Sequence, residues 1–262
     1  MTTAAASTVD KPPQQRRGGF PSLLAVELRL LLREPMILFW ALIFPLGLLV
    51  VLGSSVSDKP KAAFGGLRFI VVYTPVLMTF TLTLLSLSAM PATLASYRDK
   101  GYLKRLSTTP VGALRLLAAQ LGLVIGLSST VVILIMVLSH FAYSVPLPSE
   151  VIGFILAILL TMTAMAALGL LVASLATSQR VAGAIGGILF FPLMFFAGLW
   201  VPQQQMGATL RTISQYTPLG AAVPSITNSD FGQWPGTTHL IVLAAYTLVL
   251  LRIAIRFFRW DR

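Results

Sequence analysis

The fold of this 262-residue chain depends on one charged stretch, which reads Tyr97-Arg98-Asp99-Lys100-Gly101-Tyr102-Leu103-Lys104-Arg105-Leu106-Ser107-Thr108-Thr109-Pro110. Five of its side chains are charged, whereas the whole chain holds only 19 basic and 8 acidic residues. Long apolar runs flank it on both sides, and a membrane span needs about 20 such residues. The stretch, called the charged island below, is therefore expected to lie in water between two spans.

The composition indicates a membrane protein. Hydrophobic residues make up 56% of the chain and charged residues 10%, against about 25% charged residues in soluble domains. Because the apolar stretches are too long and too numerous for a soluble core, we predict an all-α multi-pass membrane protein. The net charge of +11 is spread between apolar runs rather than along one solvated face, which argues against nucleic-acid binding.

Six apolar segments predict six transmembrane helices, at residues 36–53, 69–95, 111–139, 151–177, 181–201 and 239–258. Residues 1–19 are small, polar and basic, which is typical of a disordered tail. The transmembrane domain then covers residues 20–258, and residues 259–262 form a short C-terminal end. Within it, residues 21–34 alternate leucines with charges and predict an amphipathic helix at the membrane interface. Residues 202–235 carry four prolines between short apolar pieces, which predicts two re-entrant helices in the outer leaflet.

The positive charges predict the orientation. If both termini lie on one side of the membrane, that side holds fifteen Lys and Arg residues and the other side holds four. The positive-inside rule then places both termini and the charged island in the cytoplasm. We expect the chain to lie in the inner or plasma membrane of the cell.

The sequence indicates no catalytic, metal-binding or cofactor-binding site. It lacks the Gly-x-x-x-x-Gly-Lys-Ser/Thr loop that binds nucleotide phosphates, so it is not expected to hydrolyse ATP. The two histidines, His140 and His239, fall at outer span ends, where ordinary hydrogen bonds are expected. No ionisable residue is placed in the middle of a span, which argues against an ion-coupled transporter. The energy for any transport is therefore expected to come from outside the chain.

Two sets of residues within the spans are candidates for function. Hydroxyl and aromatic side chains of the first two spans are candidates for lining a substrate pathway. They are Phe39, Phe44, Thr79, Phe80, Thr83 and Ser86. The alternative is that the hydroxyls bond to backbone carbonyls of their own helix or join helices, and that the rings only pack. Glycines at four-residue spacing predict close helix packing, within one subunit or across a dimer; they are Gly122, Gly126, Gly183 and Gly187.

Three segments together carry a family resemblance. They are the charged island from Arg98 to Pro110, the segment Phe191-Pro-Leu-Met-Phe-Phe-Ala-Gly-Leu-Trp-Val-Pro202, and Tyr216-Thr-Pro-Leu219. In this order they resemble the ABC-2 type permeases, the membrane subunits of ATP-binding-cassette exporters such as the daunorubicin-type drug exporters. The resemblance covers about residues 20–258. The island departs from the family pattern at Tyr102, where the family often has Thr, and at Lys104, where it often has Glu.

The resemblance implies a division of labour between subunits. Two permeases, identical or different, would form the pathway, and two copies of a cytoplasmic ATPase, which binds ATP and Mg, would drive it. The island would supply the coupling helix that sits in a cleft of the ATPase. Its contact residues would be Arg98, Asp99, Lys100, Gly101, Tyr102, Leu103, Lys104, Arg105 and Leu106. Residues 21–34 would be the interfacial elbow helix, and Pro202, Tyr216 and Pro218 would mark the re-entrant pair.

The residues of the island also favour docking on their own. Gly101 is expected to separate a turn from a short helix, on which Leu103 and Leu106 share one apolar face. Basic side chains dominate the island, which predicts an acidic rim on the partner's cleft. The alternative is a solvated loop that only determines the topology.

These observations lead to one principal hypothesis and three alternatives. The principal hypothesis is the permease subunit of an exporter for an amphipathic or hydrophobic compound, drug-like or lipid-like, driven by a separate ATPase. The first alternative is a non-transporting membrane scaffold or regulatory protein. The second is an ABC-2 exporter of a polysaccharide or other glycoconjugate, and the third is a membrane-embedded enzyme that uses a histidine.

Overall fold

Helices account for most of the described fold, as the composition predicts. The computed structural model describes residues 28–30, 33, 35–55, 59–99 and 112–257. The predicted tail, most of the predicted interfacial helix, the charged island from residue 100 onward and the C-terminal end lie outside the described residues. The hypotheses about those segments stay predictions.

The helices follow the predicted order along the chain. Helix α1 covers residues 35–55 and helix α2 covers residues 69–99, and each contains a π-helical segment, Phe39–Ile43 in α1 and Leu85–Ala89 in α2. The other helices are α3 (Gly112–Tyr143), α4 (Val151–Leu175), α5 (Gln179–Ala197), α6 (Ala208–Gln215), α7 (Pro218–Asp230) and α8 (Thr237–Phe257).

Five helical stretches of the described chain are long and apolar enough to cross a membrane. They are Phe69–Tyr97, Ala118–Tyr143, Val151–Leu175, Gln179–Ala197 and Thr237–Phe257. The apolar part of α1, Phe39–Ser55, is shorter than these. The all-helical, multi-pass membrane fold is therefore confirmed, whereas the count of six spans stays a prediction.

Two prolines account for the π-helical segments. Pro45 and Pro91 each lie two residues after the end of such a segment. Proline has no N–H, and its ring clashes with the carbonyl four residues earlier, which belongs here to Ala41 or Leu87. The local widening to a π-turn accommodates this carbonyl, so both helices continue through their prolines.

Helix α2 is the central helix of the chain. Of its apolar stretch, 94% is buried within the chain, against 22% for α5 and 11% for α8. Its residues Leu77 and Leu82 pack in one apolar cluster with α3 and α4, and Phe80 and Leu87 pack in a second cluster with α4, α5 and α7. The other helices therefore assemble around α2, and α5 and α8 present most of their surface outward.

The π-helical segment of α2 allows two neighbours to approach its backbone closely. A Cβ atom on Gly169 of α4 would collide with the carbonyl oxygen of Ser86, and one on Gly186 of α5 would lie 2.7 Å from the carbonyl oxygen of Leu87. Only glycine permits this approach. The glycines that hold α4 and α5 against α2 are thus ones that the four-residue spacing did not single out.

The four glycines predicted to pack are all exposed on the described chain; they are Gly122, Gly126, Gly183 and Gly187. At the last three of them, an added Cβ atom would meet no atom within 4 Å. These three glycines therefore do not mediate close packing between the helices that the structure describes. Packing across a dimer stays a prediction.

Hydrogen bonds join α1, α2 and α3 at the end of the bundle where α2 begins, called the outer end after its predicted side. The guanidinium of Arg68 donates to the carbonyl oxygens of Tyr143 at 2.9 Å and Ser144 at 2.7 Å. The Tyr143 hydroxyl donates to the carbonyl oxygen of Val50 at 3.1 Å. The Arg68 bonds supply partners for carbonyls at the end of α3, which the helix itself leaves unpaired.

The two short helices predicted in residues 202–235 are present as α6 and α7. Gln203 links them to the end of α5, because its side-chain amide donates to the carbonyl oxygens of Phe196 at 2.7 Å and Gly220 at 3.2 Å, and to the Ser214 hydroxyl oxygen at 3.2 Å. The Ser214 hydroxyl in turn donates to Phe196 at 2.9 Å. These bonds hold α6 and α7 against the end of α5, while their re-entry into the membrane stays a prediction.

The three residues predicted to mark this segment lie at its turns. Pro202 is buried just before a short 3₁₀ turn, and Pro218 is the buried first residue of α7, where proline fits because that N–H needs no partner. The Thr217 hydroxyl accepts a hydrogen bond from the N–H of Gly220 and caps α7. Tyr216 follows α6 and is 59% exposed.

Candidate functional site

Seven aromatic side chains form a continuous row of ring contacts across α1, α2 and α5. Consecutive ring centroids lie 4.8 to 5.9 Å apart, which is the usual range for interacting aromatic pairs. In order, the members are Phe39, Trp40, Phe44, Phe80, Phe190, Phe191 and Trp200. The row, called the aromatic row below, begins near the inner end of α1 and ends beyond the outer end of α5.

The aromatic row lies on the surface of the chain at both of its ends. Phe39 is 41% exposed at one end, and Phe191 is 62% exposed near the other, whereas Phe80 in the middle is buried. The three predicted pathway rings, Phe39, Phe44 and Phe80, are therefore brought together by the fold. Phe190, Phe191 and Trp200 were not among the predicted pathway residues, although the aromatic content of the segment around Pro192 is a signal for them.

The predicted pathway hydroxyls are enclosed within the chain. Thr79 and Thr83 are fully buried, and their hydroxyls donate to the carbonyl oxygens of Val76 at 2.9 Å and Thr79 at 2.8 Å in their own helix. Ser86 is buried where α4 crosses α2. In this arrangement the two threonine hydroxyls are occupied by the backbone, and the place of these residues in a pathway stays a prediction.

A cavity of about 400 Å³ lies between the two π-helical segments. It is lined by Met36, Trp40, Ala41, Leu84, Leu85, Ser88 and Ala89, and it is called the π cavity below. Ala41 belongs to the π-helical segment of α1, and Leu85, Ser88 and Ala89 belong to that of α2. Because Trp40 is also a member of the aromatic row, the cavity adjoins the inner end of that row.

The charged island begins inside a helix. Helix α2 continues to Asp99, so Arg98 and Asp99 form its last turn rather than a separate loop. Residues 100–106 of the predicted ATPase contact lie outside the described residues. The coupling role of the island therefore stays a prediction, but the central helix leads directly into it.

Asp230 and the two histidines are ionisable groups near the outer end. Asp230, the last residue of α7, is 8% exposed, and its burial raises the pKa of the carboxyl to about 7. His140 Nδ1 lies 2.9 Å from the carbonyl oxygen of Val145, which matches the ordinary hydrogen bond expected for it. His239 Nδ1 is buried without a hydrogen-bond partner among the described residues. Within the residues that the structure describes, no group of three or more His, Asp or Glu side chains is placed to hold a metal ion.

Comparison with protein families gives a match over most of the chain. A family model described as ABC-2 type transporter matches residues 19–231, which include helices α1 to α7. No curated protein matches the chain.

Proposed function

Because the chain belongs to the ABC-2 type transporter family, we propose that it exports an amphipathic or hydrophobic compound, drug-like or lipid-like, as the permease subunit of an ATP-binding-cassette exporter. The family is a membrane transport component and not itself catalytic. The motor is a separate ATPase subunit, present in two copies, and ATP and Mg bind there.

The aromatic row is the observation that supports an apolar substrate. Its rings cross the chain from one end to the other, and they offer apolar faces rather than hydrogen-bonding groups. A sugar polymer would need many polar partners, whereas the hydroxyls of Thr79 and Thr83 are occupied by their own helix. The row therefore favours a hydrophobic compound over a polysaccharide.

The exposure of the aromatic row supports a second permease subunit. Phe39 and Phe191 lie on the surface of the single chain, so one copy supplies only one wall of a pathway. The exposed glycines Gly183 and Gly187 lie on the same helix as Phe191 and leave room for a second helix to approach. We place the second permease against this face.

The charged island is the proposed contact with the ATPase. With both termini in the cytoplasm of a plasma or inner-membrane protein, residues 98–106 lie on the side where the ATPase binds. The buried position of α2 supports this role, because a force applied at Asp99 acts directly on the helix around which the others pack.

The experiment uses the permease co-purified with its ATPase and reconstituted in liposomes. Changing Leu103 and Leu106 together to Asp is expected to leave insertion intact and to abolish both permease-stimulated ATP hydrolysis and export of a fluorescent amphiphile. Ser107→Asn introduces a side chain of similar size to Asp, without a charge, beside these positions and serves as the control, with activity retained. Unchanged hydrolysis in the double variant would refute the coupling role, and isolation of the chain without any ATPase would favour a scaffold.

A further inference from the structure

The π cavity has the size and the position of a ligand site. Its volume of about 400 Å³ falls within the range of about 300–1,000 Å³ that small-molecule pockets occupy. It lies where two π-helical segments face each other, and such segments occur frequently at functional sites. Each π-helical segment results from a proline, Pro45 or Pro91, that lies inside an apolar helix.

Small side chains on both helices create the space. Ala41 on α1 and Ala89 on α2 are buried in one apolar cluster with Leu85, and they line the cavity together with Ser88. Five threonines of α2 donate their hydroxyls to carbonyls of the same helix. The hydroxyl of Ser88 has no hydrogen-bond partner in the described part of the chain. It is therefore free to bond to a ligand.

The lining selects a hydrocarbon chain. Among the lining residues that the structure describes, the polar groups are the hydroxyl of Ser88 and the indole N–H of Trp40, and none of these residues carries a charge. Met36 is 65% exposed and Ser88 is exposed as well, so the cavity opens at the surface of the chain rather than into its core. It lies at the start of α1 and in the second half of α2, toward the predicted cytoplasmic side. An apolar chain fits this space while its polar head remains outside.

We propose that the π cavity binds the hydrocarbon chain of an amphiphile taken from the cytoplasmic leaflet, before that amphiphile moves along the aromatic row. This proposal rests on the proposed export function, and it names the class of substrate and its point of uptake. Trp40 connects the two features, because it lines the cavity and its ring lies 4.8 Å from that of Phe44, the next member of the row.

Photo-labelling of the full-length chain tests the proposal. The protein is placed in nanodiscs of phosphatidylethanolamine and phosphatidylglycerol with a diazirine-bearing fatty acid or with a phospholipid that carries the same chain. Labelling is expected within residues 36–41 and 84–89, above the level on the exposed surface of α3 near Ile133. The probe that labels the cavity more strongly shows whether the bound hydrocarbon chain belongs to a free fatty acid or to a phospholipid.

Three substitutions provide the controls. Ser88→Leu fills the cavity and is expected to lower its labelling about tenfold, which corresponds to lost burial of about two methylene groups. Ser88→Ala keeps the space and removes the hydroxyl, with an expected decrease of about threefold, the contribution of one hydrogen bond. Ala245→Leu makes a comparable change on the exposed face of α8, away from the cavity lining. It is expected to leave the labelling of the cavity unchanged.

The outcomes separate this proposal from the export function. Labelling of the cavity no stronger than that of α3, and insensitive to Ser88→Leu, would mean contact with bulk lipid only and would overturn the proposal. So would cross-links showing that residues 21–34 or a second copy occupy the cavity. If Ser88→Leu abolishes labelling but the ATPase complex still exports at the normal rate, the cavity is not the uptake site. The proposed export function is then unaffected. If the cavity is labelled as expected and no ATP-dependent export of the probe occurs, the export function is wrong.

Discussion

Replacing Gly186 with alanine is expected to destabilise the contact between α5 and α2, whereas the same replacement at the adjacent Gly187 is not. Gly186 is buried, and an added Cβ would lie 2.7 Å from the carbonyl oxygen of Leu87. Gly187 is exposed, and an added Cβ would meet nothing within 4 Å. The two residues share a helix, a neighbourhood and a chemical change, so they form a matched pair.

The expected loss of stability can be derived from the distance between the added Cβ and the Leu87 carbonyl oxygen. Ordinary carbon–oxygen contacts begin at 3.4 Å, so α5 has to move away from α2 by several tenths of an ångström. Overpacking of this kind costs about 1–3 kcal/mol. Alanine also gains about 1 kcal/mol of helix propensity over glycine, but this gain is common to both variants. We therefore expect Gly186→Ala to be less stable than Gly187→Ala by about 1–3 kcal/mol, or roughly 2–10 °C in Tm.

Thermal unfolding in detergent, followed by tryptophan fluorescence, measures this difference. The chain has four tryptophans and no cysteine, so thiol-reactive dyes give no signal. Equal Tm values for Gly186→Ala and Gly187→Ala would refute the close approach of α5 to the Leu87 carbonyl. A lower Tm for Gly187→Ala that depends on protein concentration would show that the exposed face of α5 packs against a second copy.

Three further predictions concern the outer end of the bundle. Arg68→Ala removes the donor to two carbonyls at the end of α3 and should cost about 1–3 kcal/mol, measured by the same unfolding assay, with Lys61→Ala as an exposed control. Gln203→Ala removes the amide that joins α5, α6 and α7 and should expose this segment to protease, whereas the exposed Gln204→Ala should not. Burial raises the pKa of Asp230 from 3.8 to about 7 in the fold, so the folded state favours the protonated carboxyl. The stability that this preference contributes is fully present below pH 3.8 and is lost as the pH rises through 7. Asp230→Asn should therefore be more stable than the unmodified chain at pH 8 by up to about 4 kcal/mol, and equal pH profiles of the two would contradict the burial of this carboxyl.

The helical, multi-pass membrane fold could be predicted because it depends on local properties of the sequence. A run of apolar residues without charge has to be helical in lipid, since each backbone N–H and C=O needs a partner and lipid provides none. Five of the predicted segments match long apolar helices, and the two short helices after α5 lie where the prolines placed them. The turns at Pro202 and Pro218 follow from the same local rule.

The close contacts of helices could not be predicted in the same way. Glycines at four-residue spacing, such as Gly183 and Gly187, can also lie on an exposed face of a helix. The spacing does not specify which other helix packs against them. Gly169 and Gly186 pack because they meet α2 where a π-helical segment presents its carbonyls. That meeting depends on the rotation of three helices about their axes, which no single segment specifies.

The sequence by itself determined that the chain is a helical membrane protein, and its motifs indicated the ABC-2 type family and a charged island between apolar runs. These conclusions rest on composition and order, which are properties of the chain before it folds. Only the tertiary structure decided that α2 is the central helix, that aromatic residues far apart in the sequence form one row, and that both π-helical segments line one open cavity. The physical reason is that packing brings together residues separated by more than a hundred positions, and their contact depends on the shapes of all the helices between them.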